Sequence, residues 1–265
     1  MTLYPSELKH FSQWFTTTNG DALTPPRLTA QDVKDYIAHL QRDGYAVGTI
    51  NKRIVAIRAY IKDAIERDEI DRDPLLNTKH IKLKYQALAP KWLDRREQAA
   101  LLRESERTIN AANTPNRQRL AGRNHAAIIF LMNSGLRISE LMSVQSDAVE
   151  TNERSGRVTV AGKGNKQRIV PLNADAREAA ARLNFPLDIS PRQFQIALSE
   201  IARRAALDDV TPHTLRHTFA KNLIDSGVGL EKVAALLGHS NINTTRIYTT
   251  PSEKDLQRAV EGLEV

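Results

Sequence analysis

The stretch TPHTLRHTFA, residues 211–220, places His213, Arg216 and His217 at i, i+3 and i+4. On an α-helix those three positions are neighbours on one surface. Thr211 suits the N-cap, and Pro212 suits the first helical position because proline has no N–H to leave unpaired. The helix start adds partial positive charge beside His213, so the group is suited to hold an anion. Two histidines four apart also match the spacing of the HExxH zinc motif. Here Thr214 stands where the glutamate base belongs, and Arg216 repels a cation. The chain has no cysteine, which removes thiolate metal sites, disulfides and a cysteine nucleophile.

Three other segments carry residues of the same chemical kind. NSGLRISELMSV sets Arg137 just after a glycine at an apparent helix start, with Glu140 three residues on. AGKGNKQRIVPL puts Lys163 in a tight turn. LLGHSNINTTRIYTT places His239 directly after a helix-ending glycine and Tyr248 nine residues later. Each alone has an ordinary structural explanation.

The elements that must position these residues are mostly helical. The first third reads as amphipathic helices. Thr29 is an N-cap candidate for AQDVKDYIAHLQRDG, with acids in the first turn. Ile50, Ile54, Ile57, Ile61 and Ile65 repeat at helical spacing and mark one buried face. Lys52 and Arg53 are placed off that face, where they could meet phosphates. A polar, basic stretch ending at Pro90 reads as a linker. Helices are expected at 94–107, 117–134 and 139–146. A β-hairpin spans RVTVAGKGNKQRIVPL, because its apolar residues alternate on both sides of a Gly-Asn-Lys turn. Helices follow at 174–183, 191–206, 212–226 and 230–237, then a short helix carrying Tyr248 and a final helix. The expected fold is mainly α with a small β-hairpin or sheet, in two domains: 1–78, a linker at 79–90, and 91–265.

The 265 residues are 41 % hydrophobic and carry a formal charge of +7, with a pI near 9.7. Such a surface attracts polyanions, nucleic acid first among them. No apolar run approaches the ~20 residues that a membrane-spanning helix needs. The cytoplasm is the expected compartment, with association to the nucleoid.

In this order SGLRISEL, GKGNKQRIVPL, HTLRHTFA and LLGHSNINTTRIYT resemble the tyrosine site-specific recombinases, the phage-integrase family, and most closely its Xer-like branch. The resemblance implies a DNA clamp made of a helical core-binding (SAM-like) domain at 1–78 and a catalytic domain at 91–265. It assigns Arg137 and Arg216 to the scissile phosphate, with His239 as a further donor. Tyr248 becomes the nucleophile, His213 its proton acceptor and Lys163 the acid for the departing oxygen. Glu140 supports the site, and His217 has a packing or supporting role. The implied reaction cuts and rejoins DNA through a 3′-phosphotyrosyl intermediate and a Holliday junction, with no cofactor, metal or ATP. The implied partners are double-stranded DNA target sites and further copies of the chain in a tetrameric synapse, the helix at 252–265 passing between protomers. Lys52, Arg53, Lys79, Lys82 and Lys84 are the expected DNA-backbone contacts. Two alternatives stay open: a helix-turn-helix DNA-binding regulator built on GVGLEKVAALLGHSNINTTRIY, and a type IB topoisomerase.

Overall fold

The computed structural model describes residues 5–76, 90–161, 167–239 and 242–249. Lys79, Lys82, Lys84, Lys163, nearly all of the expected linker and the helix expected at 252–265 lie outside the described residues. The chain divides into two compact units, Met1–Ala87 and Leu88–Val265.

The first unit contains helices α1 (Pro5–Asn19), α2 (Ala30–Arg42) and α3 (Val47–Glu66), with one 3₁₀ turn at Pro25–Arg27. The hydroxyl of Thr29 accepts from the Asp32 amide at 3.2 Å while the Asp32 carboxylate accepts from the Thr29 amide at 2.9 Å. This reciprocal cap fixes the start of α2. Phe11 and Phe15 from α1 pack on Tyr36 from α2 and on Ile50, Ile54, Ile57 and Ile61 from α3. The isoleucine spacing therefore forms the buried face that the sequence predicts.

Of the two basic residues of α3 expected off that face, Lys52 is off it and Arg53 is not. Arg53 is three residues from Ile50 and shares its face, so it is buried. Its guanidinium lies over the Tyr45 ring, 4.3 Å from the centroid, a cation–π arrangement. Lys52 is exposed and forms an ion pair with Glu7 of α1.

The second unit is built around α5 (Pro115–Ser134), whose Ala126, Ala127, Ile128, Phe130 and Leu131 are fully buried. Around it pack α4 (Arg95–Asn110), α7 (Ala174–Ala181), α8 (Pro191–Arg204) and α9 (Pro212–Asp225). The short α6 (Ile138–Ser143) follows α5, and α10 (Leu230–Leu237) follows α9. Thr218 of α9 is wholly buried and accepts from the Leu93 amide at 2.9 Å.

The expected hairpin is part of a three-stranded antiparallel sheet, in the order β1 (Val149–Thr151), β2 (Gly156–Ala161), β3 (Gln167–Pro171). The three residues of β1 are too few to show alternation, so the sequence does not reveal that strand. Val158 pairs with Val170 and Val160 with Arg168. Strand parity therefore turns Arg168 to the same side as the buried Val170. The helix expected at 139–146 ends at Ser143, because Val144 is already extended. Tyr248 is not inside a helix: α11 spans Asn243–Arg246, and Tyr248 lies just beyond it.

Candidate active site

Three chain segments meet at Glu140, and a fourth joins them through Arg216. The first is the turn from α5 into α6. Gly135 closes α5 with a left-handed backbone, φ +63°, and Arg137 is the N-cap of α6. The Glu140 carboxylate accepts from the Arg137 amide at 2.7 Å and from the Arg137 guanidinium at 2.8 Å. Both groups of Arg137 are thus held by an acid one helical turn away.

The second segment is β3. Arg168 forms a two-bonded fork on Glu140, Nη1 to Oε1 and Nη2 to Oε2, both at 2.8 Å. Its Nε donates to the Leu236 carbonyl at 3.1 Å. Burial favours the neutral acid at Glu140. The hydrogen bonds from Arg168 and from the Arg137 amide override that preference and hold its pKa at about 2. Glu140 is therefore a carboxylate at any physiological pH.

The third segment is α9. Thr211 caps it by accepting from the Thr214 amide at 3.2 Å. Arg216 is 3 % exposed. Its Nη1 donates to the Gly135 carbonyl and its Nη2 to the Leu237 carbonyl, both at 2.6 Å. These carbonyls stand at the C-terminal ends of α5 and α10, the negative ends of two helix dipoles. Nη1 also lies 3.7 Å from Glu140. Burial, then the charge of Arg137, lowers the Arg216 pKa to about 10. The guanidinium stays protonated at neutral pH.

The fourth segment follows α10. Arg216 Nη2 lies 3.1 Å from His239 Nε2. An arginine N–H only donates, so Nε2 accepts and the ring proton sits on Nδ1. Nδ1 then donates to the buried Thr245 hydroxyl at 2.9 Å. Burial, then Arg216 and Arg137, lowers the His239 pKa to about 4, which keeps this ring neutral.

Tyr248 is 2 % exposed and packs with Phe219, Val233 and Leu237. Its hydroxyl meets Nδ1 of His217 at 2.7 Å. Burial raises the phenol pKa, and Arg216 partly opposes that shift. Burial, then His213 and Arg216, lowers the His217 pKa to about 4. The pair is thus a neutral phenol against a neutral imidazole.

Sequence reasoning gives the contact with Tyr248 to His213 and a packing role to His217. In the structure His213 is exposed in the first turn of α9, its ring 6.4 Å from that of His217. His217 lies one turn further into the protein, and it is the imidazole that reaches the phenol. Arg137, Glu140, Arg216, His217, His239 and Tyr248 come together through this network. Lys163 is outside the described residues.

Arg168 is the participant that the motif reading misses. A signal exists: on β3 it has the parity of Val170, and an arginine on a buried strand face requires a partner. The backbone carbonyls of Gly135 and Leu237, which accept from Arg216, are also omitted, since a motif records side chains only.

The chain is similar to known proteins over nearly its whole length. The family model "Phage integrase family" matches residues 92–184 and 187–255. The model "Phage integrase, N-terminal SAM-like domain" matches residues 1–68. Tyrosine recombinase XerA of Thermococcus kodakarensis is 30 % identical over 98 % of this chain and 87 % of its own length. Tyrosine recombinase XerD of Rickettsia bellii is 31 % identical over 90 % of this chain and 84 % of its own length. A solved structure of XerH site-specific recombinase, bound to a palindromic difH substrate in a post-cleavage complex, has a similar fold. Its TM-score is 0.76 at 19 % identity, over 98 % of this chain and 78 % of that one. The two family models and the Xer relatives together establish that this chain belongs to the phage integrase family, in the Xer-like branch of the tyrosine site-specific recombinases.

Proposed function

We propose that this recombinase exchanges DNA strands by two successive transesterifications. The Tyr248 oxygen attacks the scissile phosphorus, and its proton passes to His217 Nδ1. The bond from phosphorus to the 5′-oxygen breaks. That oxygen departs as a hydroxyl with a proton from Lys163, leaving a 3′-phosphotyrosyl bond. The 5′-hydroxyl of a second strand then attacks the phosphotyrosine, and Tyr248 leaves with a proton. Each phosphodiester bond is replaced by another, so ATP has no part to play. Negative charge on the non-bridging oxygens meets Arg137 and Arg216, and these fixed cations make a metal ion unnecessary.

The observation that carries this reading is the 2.7 Å contact between Tyr248 and a neutral imidazole, a residue away from the buried Arg216. A phenol of ordinary pKa ~10 needs such an acceptor at the moment of attack. For His239 to donate to the phosphate, its ring proton must move from Nδ1 to Nε2 and replace the contact from Arg216, and His213 supplies a further donor at the start of α9.

Exchange of both strands at two sites calls for four such centres, hence a tetramer on DNA with a Holliday junction between the two rounds. The segment 252–265, with Leu256, Val260 and Leu263 at helical spacing, is the proposed exchange element between protomers. Lys79, Lys82 and Lys84 are proposed to follow the phosphate backbone, which makes affinity fall with salt. The helical unit within residues 1–78 is proposed as a second DNA-binding element.

The test is a nicked suicide duplex of the target site, recovered by sequencing the DNA covalently trapped on the protein from fragmented genomic DNA. Wild type should form a protein–DNA adduct that survives denaturation, with EDTA present or absent. Tyr248→Phe should bind the duplex and form none. An undiminished adduct in Tyr248→Phe moves the nucleophile elsewhere. Binding without any adduct in wild type returns the chain to the regulator reading.

A further inference from the structure

Arg168 lies outside the residues assigned to the reaction, yet it ties three segments of the site together. Its fork occupies both oxygens of Glu140, the same carboxylate that holds Arg137. Its Nε closes on the Leu236 carbonyl near the end of α10. Its side chain packs so closely on the Gly238 backbone that a Cβ there would lie 3.0 Å from Cδ and Nη1. His239 is the next residue.

Charge gives this arrangement its meaning. Arg137, Arg168 and Arg216 all approach the one carboxylate of Glu140. An acid beside a phosphate site repels the substrate unless a cation other than the clamp neutralises it. Arg168 makes the most complete contact, and its side chain is only 15 % exposed. Arg137 is 39 % exposed and keeps part of its guanidinium free.

We propose that Arg168 is a positioning residue of the phosphate clamp. It neutralises and orients Glu140, so that Arg137 and Arg216 present their charge to the scissile phosphate, and it seats the turn that carries His239. The proposal rests on the strand-exchange reading of the site.

The experiment compares two nicked suicide duplexes of the recovered target site. One has the natural scissile phosphodiester. The other has a methylphosphonate there, with a methyl group in place of one charged oxygen. A neutral centre does not require the clamp charge, so a clamp defect disappears on it while damage to the fold does not. Arg168→Ala should slow adduct formation by about 10²-fold on the phosphodiester, as for loss of one electrostatic donor. On the methylphosphonate it should react within a few-fold of wild type. Arg168→Lys should fall between Arg168→Ala and wild type, and adding Glu140→Gln to Arg168→Ala should recover part of the rate.

Equal loss on both substrates overturns the proposal in favour of a purely structural role. A wild-type rate for Arg168→Ala on the phosphodiester overturns it outright. A wild-type protein that binds both duplexes and forms no adduct overturns the strand-exchange reading itself, a result distinct from either.

Discussion

The ring of His217 is the one that meets the Tyr248 hydroxyl, 2.7 Å from Nδ1, whereas His213 stands exposed one helical turn away. On the proposed mechanism the proton acceptor is therefore His217, four residues along α9 from His213. His217→Ala should slow adduct formation by about 10²- to 10⁴-fold, the usual worth of a positioned base. Added imidazole should restore part of the rate. His213→Ala leaves the phenol contact intact, and imidazole should not rescue it. Adduct rates with and without imidazole decide the assignment. Rescue at 213 and not at 217 would reverse it.

Arg216→Lys tests the seat of the second arginine. A lysine ammonium cannot reach the Gly135 carbonyl, the Leu237 carbonyl and His239 with the planar spacing that the guanidinium uses. At least one buried acceptor loses its donor, at about 1–3 kcal/mol. Urea unfolding should show that loss, and adduct formation should fall by about 10²-fold or more. A variant of unchanged stability would mean that the two carbonyls find other partners.

Gly135→Ala should be the more harmful of two comparable substitutions. Gly135 and Gly227 both have left-handed backbones, at φ +63° and φ +80°. A Cβ at Gly135 drives into the ring of Phe219, whereas a Cβ at Gly227 meets nothing within 4 Å. Gly227→Ala should lose about 1 kcal/mol for backbone strain alone. Gly135→Ala should lose that plus the cost of displacing Phe219, and should slow the reaction because the carbonyl that seats Arg216 moves. Thermal midpoints and adduct rates of the two variants give the comparison.

Acid should weaken the fold in two stages. His217 and His239 are held at about 4, chiefly by burial, from an ordinary value of 6.5. Between those values the unfolded chain binds protons that the folded chain refuses. Stability is therefore full above 6.5 and falls as pH drops through the window to about 4. Glu140, held at about 2 from 4.5, adds a second loss below 4.5 because its carboxylate contacts disappear on protonation. Urea midpoints from pH 8 to 5 should show the first stage. Replacing both histidines with glutamine should reduce it, the remainder coming from His10 and His125, which burial also lowers.

Much of this is legible in the sequence. Helix spacing put Arg216 and His217 on one surface, and the Thr-Pro start of α9 marked its cap. The isoleucines of α3 marked the first core. Other features were hidden because they arise from long-range contacts. Nothing local distinguishes His213 from His217, since their difference is depth, and depth is set by how α9 packs on α5 and α10. Arg53 reads as a surface cation until its place three residues from Ile50 is combined with Tyr45. Backbone acceptors such as the carbonyls of Gly135 and Leu237 leave no trace in side-chain motifs. The early end of α6 follows from Val144, a β-branched residue that turns extended.

The seat of Arg216 between two helix ends has a consequence in a living cell. A subunit lacking this side chain loses a joint of its architecture together with its reagent, and such chains are expected to be removed by quality control. Tyr248→Phe removes a single oxygen and leaves that joint whole. The defective subunit then survives and, in the proposed tetramer, would enter mixed assemblies and silence its intact companions. Two lesions of one chemical step would thus be inherited differently, the first recessive and the second dominant.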